Sequence, residues 1–195
     1  MSIRTLFIAR HGMADAFGDL TPEGADQMRL LGRRLGASGV QQVWHSPLPR
    51  AVASAAALAW PDVPTARADE LVDHIPYVPP ADQMPSGWRG FFDGFDEQEA
   101  RTGERTAEAM LSRFFEPRAE DRTELLITHA YQVSWFLRAA LAAPAAGWLS
   151  VATVPNAALT MIKISDQAPN VVLVNDMTHL PPELRWTGFG GVVAP

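Results

Sequence analysis

Three short apolar runs in this chain stop abruptly at polar clusters. Leu6-Phe7-Ile8-Ala9 ends at Arg10-His11-Gly12, Val43-Trp44 ends at His45-Ser46-Pro47-Leu48-Pro49-Arg50, and Leu125-Leu126-Ile127-Thr128 ends at His129. Runs this short and this apolar read as buried strands. Helical patterns lie between them. Thr21 as N-cap, Pro22 at the first helical position and Glu23 in the first turn start one helix. Met28, Leu31 and Leu35 follow at helical spacing, and Gly36 or Gly39 ends it. Ser46 with Pro47 opens a second helix, filled by Ala51 to Leu58. A third runs from Glu104 to Phe115, and a fourth follows His129 through Leu141. Leu159 to Ile164 and Val171 to Val174 add two further strands. Strands alternating with helices predict an α/β sheet covered by helices on both faces.

At 195 residues the chain is expected to form one domain over 1–195. Residues 75–103 break the pattern. They hold Pro76, Pro79, Pro80, Pro85, Gly87, Gly90 and Gly94, with Trp88, Phe91, Phe92 and Phe95 between them. This reads as an aromatic, Pro/Gly-rich excursion near the site, carrying at most a short helix. A net charge of −6 excludes a dedicated nucleic-acid binder, which needs a basic face. Zero cysteines exclude disulfides, thiolate metal sites and cysteine nucleophiles. No apolar run matches a signal peptide or a membrane span, so the expectation is a cytoplasmic protein with no membrane partner. The sequence leaves oligomeric state open.

The three polar clusters share a position, just past the end of a strand. In an open α/β sheet, ligands bind outside the carboxyl ends of the strands. Two histidines and two arginines therefore converge at one edge. Two guanidinium forks suit a tetrahedral oxyanion such as a phosphoryl group. A neutral imidazole is a competent nucleophile toward phosphorus, and neighbouring arginines disfavour its protonation.

The order and context of these clusters resemble the histidine phosphatase superfamily, also called the phosphoglycerate-mutase-like family. The matching residues are Arg10-His11-Gly12, Leu20-Thr21-Pro22-Glu23-Gly24, Ser46-Pro47-Leu48-Pro49-Arg50-Ala51 and Ile127-Thr128-His129-Ala130. Pro155-Asn156-Ala157-Ala158-Leu159 is similar to the family's late asparagine-led strand. The resemblance implies a three-layer α/β/α sandwich with a mostly parallel central sheet. It implies phosphoryl transfer with no metal and no cofactor, on a small phosphorylated substrate or a phosphoprotein. Carried over, His11 is the nucleophile that becomes phosphohistidine. Arg10, Arg50 and His129 surround the phosphoryl oxygens, and the Ala130 N–H at a helix start adds a donor.

A carboxyl must protonate the leaving oxygen and later activate water. The family shows Leu-x-Glu after its third strand. Here Leu71-Val72-Asp73 puts Asp73 at the Glu position, with Glu70 as the alternative. The run from His74 to Pro79 and the segment Gly147-Trp148-Leu149 are similar to a mitochondrial Ser/Thr-phosphatase branch of the family. Family mutases continue Arg-His-Gly with Glu or Gln, Ser or Thr, and a nearby Asn. This chain has Met13, Ala14, Asp15 and Ala16 instead, which disfavours mutase activity. His45 is a candidate for the pocket mouth, with His74, Trp88 and Arg89 as further candidates for substrate contact; His179 reads as structural.

Other readings are a non-catalytic module that binds phospho-ligands on the same fold, and a metal-dependent hydrolase using His11, Asp15 and His129. The second has no His-x-x-x-His or acidic cluster behind it. A dinucleotide-binding dehydrogenase lacks its Gly-x-Gly-x-x-Gly after the first strand.

Overall fold

The computed structural model describes residues 2–189 and builds six strands into one sheet. These are β1 (Arg4–Arg10), β2 (Gln42–His45), β3 (Thr65–Arg67), β4 (Arg122–Thr128), β5 (Leu159–Ile164) and β6 (Asn170–Asp176), in the order β3-β2-β4-β1-β5-β6. The first four in that order run parallel, β5 is antiparallel to β1, and β6 is antiparallel to β5. β6 thus points the same way as β1, and the sheet is mostly parallel.

Four helices cover it: α1 (Pro22–Leu35), α2 (Pro49–Ala57), α3 (Glu97–Phe114) and α4 (Ala130–Ala140). Strand alternation decides which face each side chain serves. Phe7 and Ala9 of β1, with Leu125 and Ile127 of β4, pack under α1 and α2. Leu6 and Ile8, with Leu126, pack under α3 and α4. The central strands are apolar on both faces because both faces are covered, which gives the expected three layers. No helix among the described residues is long and apolar enough to cross a membrane.

The end of the sheet where β1 begins is tied by a buried ion pair. Arg4 Nη2 lies 2.7 Å from Glu124 Oε2, and Trp44 Nε1 donates to the other oxygen at 2.8 Å. Removing one partner of such a pair costs about 3–5 kcal/mol, because it strands a buried charge.

Two helix starts differ from the sequence reading. α2 begins at Pro49 after Leu48, and Ser46 is no cap; its hydroxyl is engaged at the strand ends. α3 begins at Glu97, capped by Asp96, rather than at Glu104. Its buried stripe is Gly103, Ala107, Met110 and Phe114, so the first two turns face solvent and show no apolar periodicity. Gly103 is not the end of the excursion. It lies inside α3 because the Ile75 carbonyl passes where a Cβ would be, at 2.0 Å. The excursion therefore closes by residue 96, with a 3-10 turn at Ser86–Phe92. Likewise Asn156 precedes β5 rather than leading it; the strand starts at Leu159.

Candidate active site

Strand register brings the two histidines together. β1 and β4 pair without a slip from Arg4 opposite Arg122 to Arg10 opposite Thr128. The His11 N–H then donates to the Thr128 carbonyl at 2.9 Å. His11 and His129 leave neighbouring strands at one level, their ring centroids 5.1 Å apart. β2 delivers Ser46 to the same level, where its N–H donates to the Ile127 carbonyl. Its Oγ lies 2.7 Å from His129 Nε2.

The hydrogen bonds of His11 define its tautomer. Nδ1 lies 2.7 Å from the Gly12 carbonyl, which can only accept, so Nδ1 carries the proton. Nε2 is left with its lone pair, accepting from Arg50 Nε–H at 3.1 Å. Burial first, then the Arg10 charge, lowers the His11 pKa to about 3, against the Gly12 carbonyl and with help from Arg50. Burial outweighs the arginines that the sequence reading credited. The loop itself is held by Asn156, whose Nδ2 donates to the His11 carbonyl at 3.0 Å. Gly12 has no room for a side chain, since a Cβ would lie 2.3 Å from the Gly24 carbonyl. That contact joins Arg-His-Gly to the glycine of Leu-Thr-x-x-Gly.

His129 is neutral for similar reasons: burial, then His11 and the two arginines, lower its pKa to about 2. Ser46 Oγ is fully buried and His129 Nε2, 2.7 Å away, is the acceptor its proton has among the described residues, so the hydroxyl donates there and the ring proton stays on Nδ1. That nitrogen has no hydrogen-bond partner among the described residues, and Asp73 Oδ2 is 3.7 Å away. Arg10 donates to the Val154 carbonyl at 2.8 Å and the Gly188 carbonyl at 3.2 Å, with the Phe189 ring 5.5 Å from its guanidinium. Its Nε is buried without a partner among the described residues. Burial lowers the Arg10 pKa to about 10, so it stays cationic at neutral pH. Arg50 spans His11 and Asp73, with Nη2 donating to Asp73 Oδ2 at 2.8 Å.

These groups sit where two lobes of a cleft meet, of about 370 and 650 Å³. Arg10, His11 and Asp73 line both; His129 and Ala130 line the smaller, and Arg50 the larger. Met13, Ala14, Asp15 and Ala16 line the larger lobe, where Asp15 Oδ1 accepts from the Phe17 and Asp19 N–H groups. Trp88 lines the smaller lobe, whereas Arg89 is exposed and lines neither. Glu70 is not brought to the cleft. Both its oxygens accept from Arg113 of α3, at 3.0 and 2.9 Å. His45 and His74 turn Nδ1 to nearby carbonyls, of Ser46 and Val72, and line neither lobe. His179 stands apart beside Asp176 and Arg34, and burial lowers its pKa to about 4.

Tyr131, Thr153, Gly188 and Phe189 also line the cleft and were not expected there from the sequence. Tyr131 follows Ala130 in the first turn of α4 and had a local signal; the others reach the site only through long-range packing. Among the described residues, no group of three or more His, Asp or Glu is arranged to hold a metal ion.

Neutral buried histidines make stability depend on pH. Unfolded, each regains an ordinary value near 6.5, so acidification protonates the unfolded chain first. The stability is fully present above pH 6.5 and falls as pH drops from there toward 3, by up to about 1.4 kcal/mol per unit for each histidine. The urea midpoint of the ligand-free protein is expected to fall between pH 6.5 and 5, with a shallower slope in His129→Asn. A flat midpoint over that range refutes the neutral pair.

The family model for the histidine phosphatase superfamily (branch 1) matches residues 6–177. The mitochondrial serine/threonine-protein phosphatase Pgam5 of Caenorhabditis elegans is 30% identical over 187 residues, covering 92% of this chain. The chain spans 65% of that protein's length. The alpha-ribazole phosphatase of Shigella flexneri superposes with a TM-score of 0.70 at 18% identity, covering 88% of this chain and 96% of that one. A phosphoglycerate mutase of Plasmodium falciparum gives 0.64 at 20% identity, covering 93% and 96%. Phosphatase and mutase share this fold, so the likeness of architecture does not choose between them.

Proposed function

The chain belongs to the histidine phosphatase superfamily, and from that premise we propose that it hydrolyses phosphomonoesters through a phosphohistidine on His11. One observation carries the reading: a buried imidazole with an unprotonated Nε2, held by Arg50 Nε–H, shares a cleft with two donors that have no partner among the described residues, Arg10 Nε and His129 Nδ1. The His11 Nε2 lone pair attacks phosphorus, the bond from phosphorus to the ester oxygen breaks, and Asp73 gives that oxygen a proton. Water then attacks the phosphohistidine, passing a proton back to Asp73 and releasing phosphate and neutral His11. Charge on the phosphoryl oxygens is met by Arg10, Arg50, His129 Nδ1–H and the Ala130 N–H, donors set in place before reaction.

Two arginines supply the positive charge that such a transfer requires, so the proposed chemistry needs no metal. The substrate class is a phosphoprotein or a small phosphomonoester, the former supported by the similarity to Pgam5, named as a protein phosphatase. Met13 to Ala16 give the larger lobe few side-chain donors for a phosphoglycerate, which speaks against mutase activity. The test is turnover of labelled substrate in the presence of EDTA, stopped with denaturant at alkaline pH. A label on His11, stable in base and labile in acid, is expected, with p-nitrophenyl phosphate hydrolysis unchanged by the chelator. Turnover without label refutes the intermediate, and phosphate binding without turnover makes the protein a binding module.

A further inference from the structure

We infer that the substrate carries its phosphoryl group as its sole anion, on an uncharged apolar or aromatic alcohol, and that Trp88 is the surface this alcohol packs on. The inference rests on the phosphatase reading and narrows its substrate. Among the described residues lining either lobe, Arg10 and Arg50 are the sole cationic side chains. Both are committed around the phosphoryl position, Arg10 to the Val154 and Gly188 carbonyls and Arg50 to His11 and Asp73. A second carboxylate or phosphate on the substrate finds no cation beyond these two among the described residues of either lobe, and it meets Asp15 in the larger. Taking an anion out of water without a partner is costly, so such substrates are rejected.

The smaller lobe offers apolar surface instead, from Trp88, Tyr131, Ala130, Ala152 and Phe189. Trp88 is braced. Its ring centroid lies 5.8 Å from that of fully buried Trp148 and 5.3 Å from Phe91, and Trp148 in turn lies 5.2 Å from Tyr131. A ring held this way presents a face without ordering cost when a flat or apolar group arrives. The Arg10 side of the lobe is equally closed. Gly188 sits at φ +94°, and a Cβ there would lie 2.3 Å from Asn156 Oδ1 and 2.6 Å from Arg10 Nη1. No side chain from that position reaches in to serve a second anion.

The experiment compares calorimetric binding of benzylphosphonate, phosphonoacetate and inorganic phosphate to the full chain, alongside hydrolysis of phenyl phosphate and 3-phosphoglycerate. Benzylphosphonate is expected to bind at least about tenfold tighter than phosphonoacetate. Trp88→Ala should bring benzylphosphonate close to inorganic phosphate, whose own affinity stays put. Thr153→Lys, a change at an exposed residue lining the smaller lobe, should raise phosphonoacetate affinity by about fivefold or more. Equal or tighter binding of phosphonoacetate to the unaltered protein overturns the inference. If Trp88→Ala fails to fold, the unaltered protein and Thr153→Lys decide. Phosphonates that rank as expected while no ester is hydrolysed sink the phosphatase reading and leave the charge argument standing. Hydrolysis of both esters at equal kcat/KM does the reverse.

Discussion

His11→Ala is expected to lower kcat for phosphomonoester hydrolysis by about four orders of magnitude or more, the scale seen when a covalent nucleophile is removed. The proposed role rests on one atom. Nε2 holds the lone pair because Nδ1 gives its proton to the Gly12 carbonyl, and no other unprotonated nitrogen is placed to replace it: His129 keeps its proton on Nδ1 and its Nε2 faces Ser46. Arg10, Arg50 and the first turn of α4 survive the substitution, so inorganic phosphate should still bind. Loss of turnover with retained phosphate affinity separates a missing nucleophile from a collapsed pocket. If the variant keeps more than about one part in a hundred of the activity, the covalent route is wrong.

Asp73→Asn should lower kcat by about two to four orders of magnitude on alkyl phosphates, whose leaving oxygen must be protonated as it departs. On p-nitrophenyl phosphate the loss should be much smaller, because nitrophenolate leaves without a proton. That contrast matters because Asp73 also accepts from Arg50, and a purely positional loss would depress both substrates alike. Glu70→Gln is the control. Glu70 holds Arg113, which in turn stacks 4.5 Å over Trp44, so the change should cost stability rather than rate. An alkyl-specific loss in Glu70→Gln, with Asp73→Asn active, would reverse the assignment.

The strand ends were legible in the sequence because each is a local event. Leu6 to Ala9 and Leu125 to Thr128 are apolar enough to be buried on both faces, and the residue that follows each is polar. Parallel neighbours then place Arg10, His11 and His129 together with no further information. Helix starts were less legible where solvent hides periodicity, as in the first two turns of α3, or where a hydroxyl is claimed by the site, as at Ser46. The competition between Asp73 and Glu70 had no local answer: it depends on Arg113, some forty residues on, which takes Glu70 out of reach. Gly188 and Phe189 are harder still, being far in sequence from Arg10 and meeting it through backbone and ring contacts that no motif announces.

The unslipped pairing of β1 with β4 works as a ruler with no adjustable mark. One residue inserted into either strand would carry its histidine along by about 3.3 Å and turn it to the opposite face. The segment between Asp73 and α3 has no strand register to keep, and between its anchors, Ile75 at Gly103 and Trp88 on Trp148, loops change length at little thermodynamic cost. On the proposed mechanism, rebuilding that segment would exchange one clientele for another while the chemical step stays frozen in the spacing of two strands.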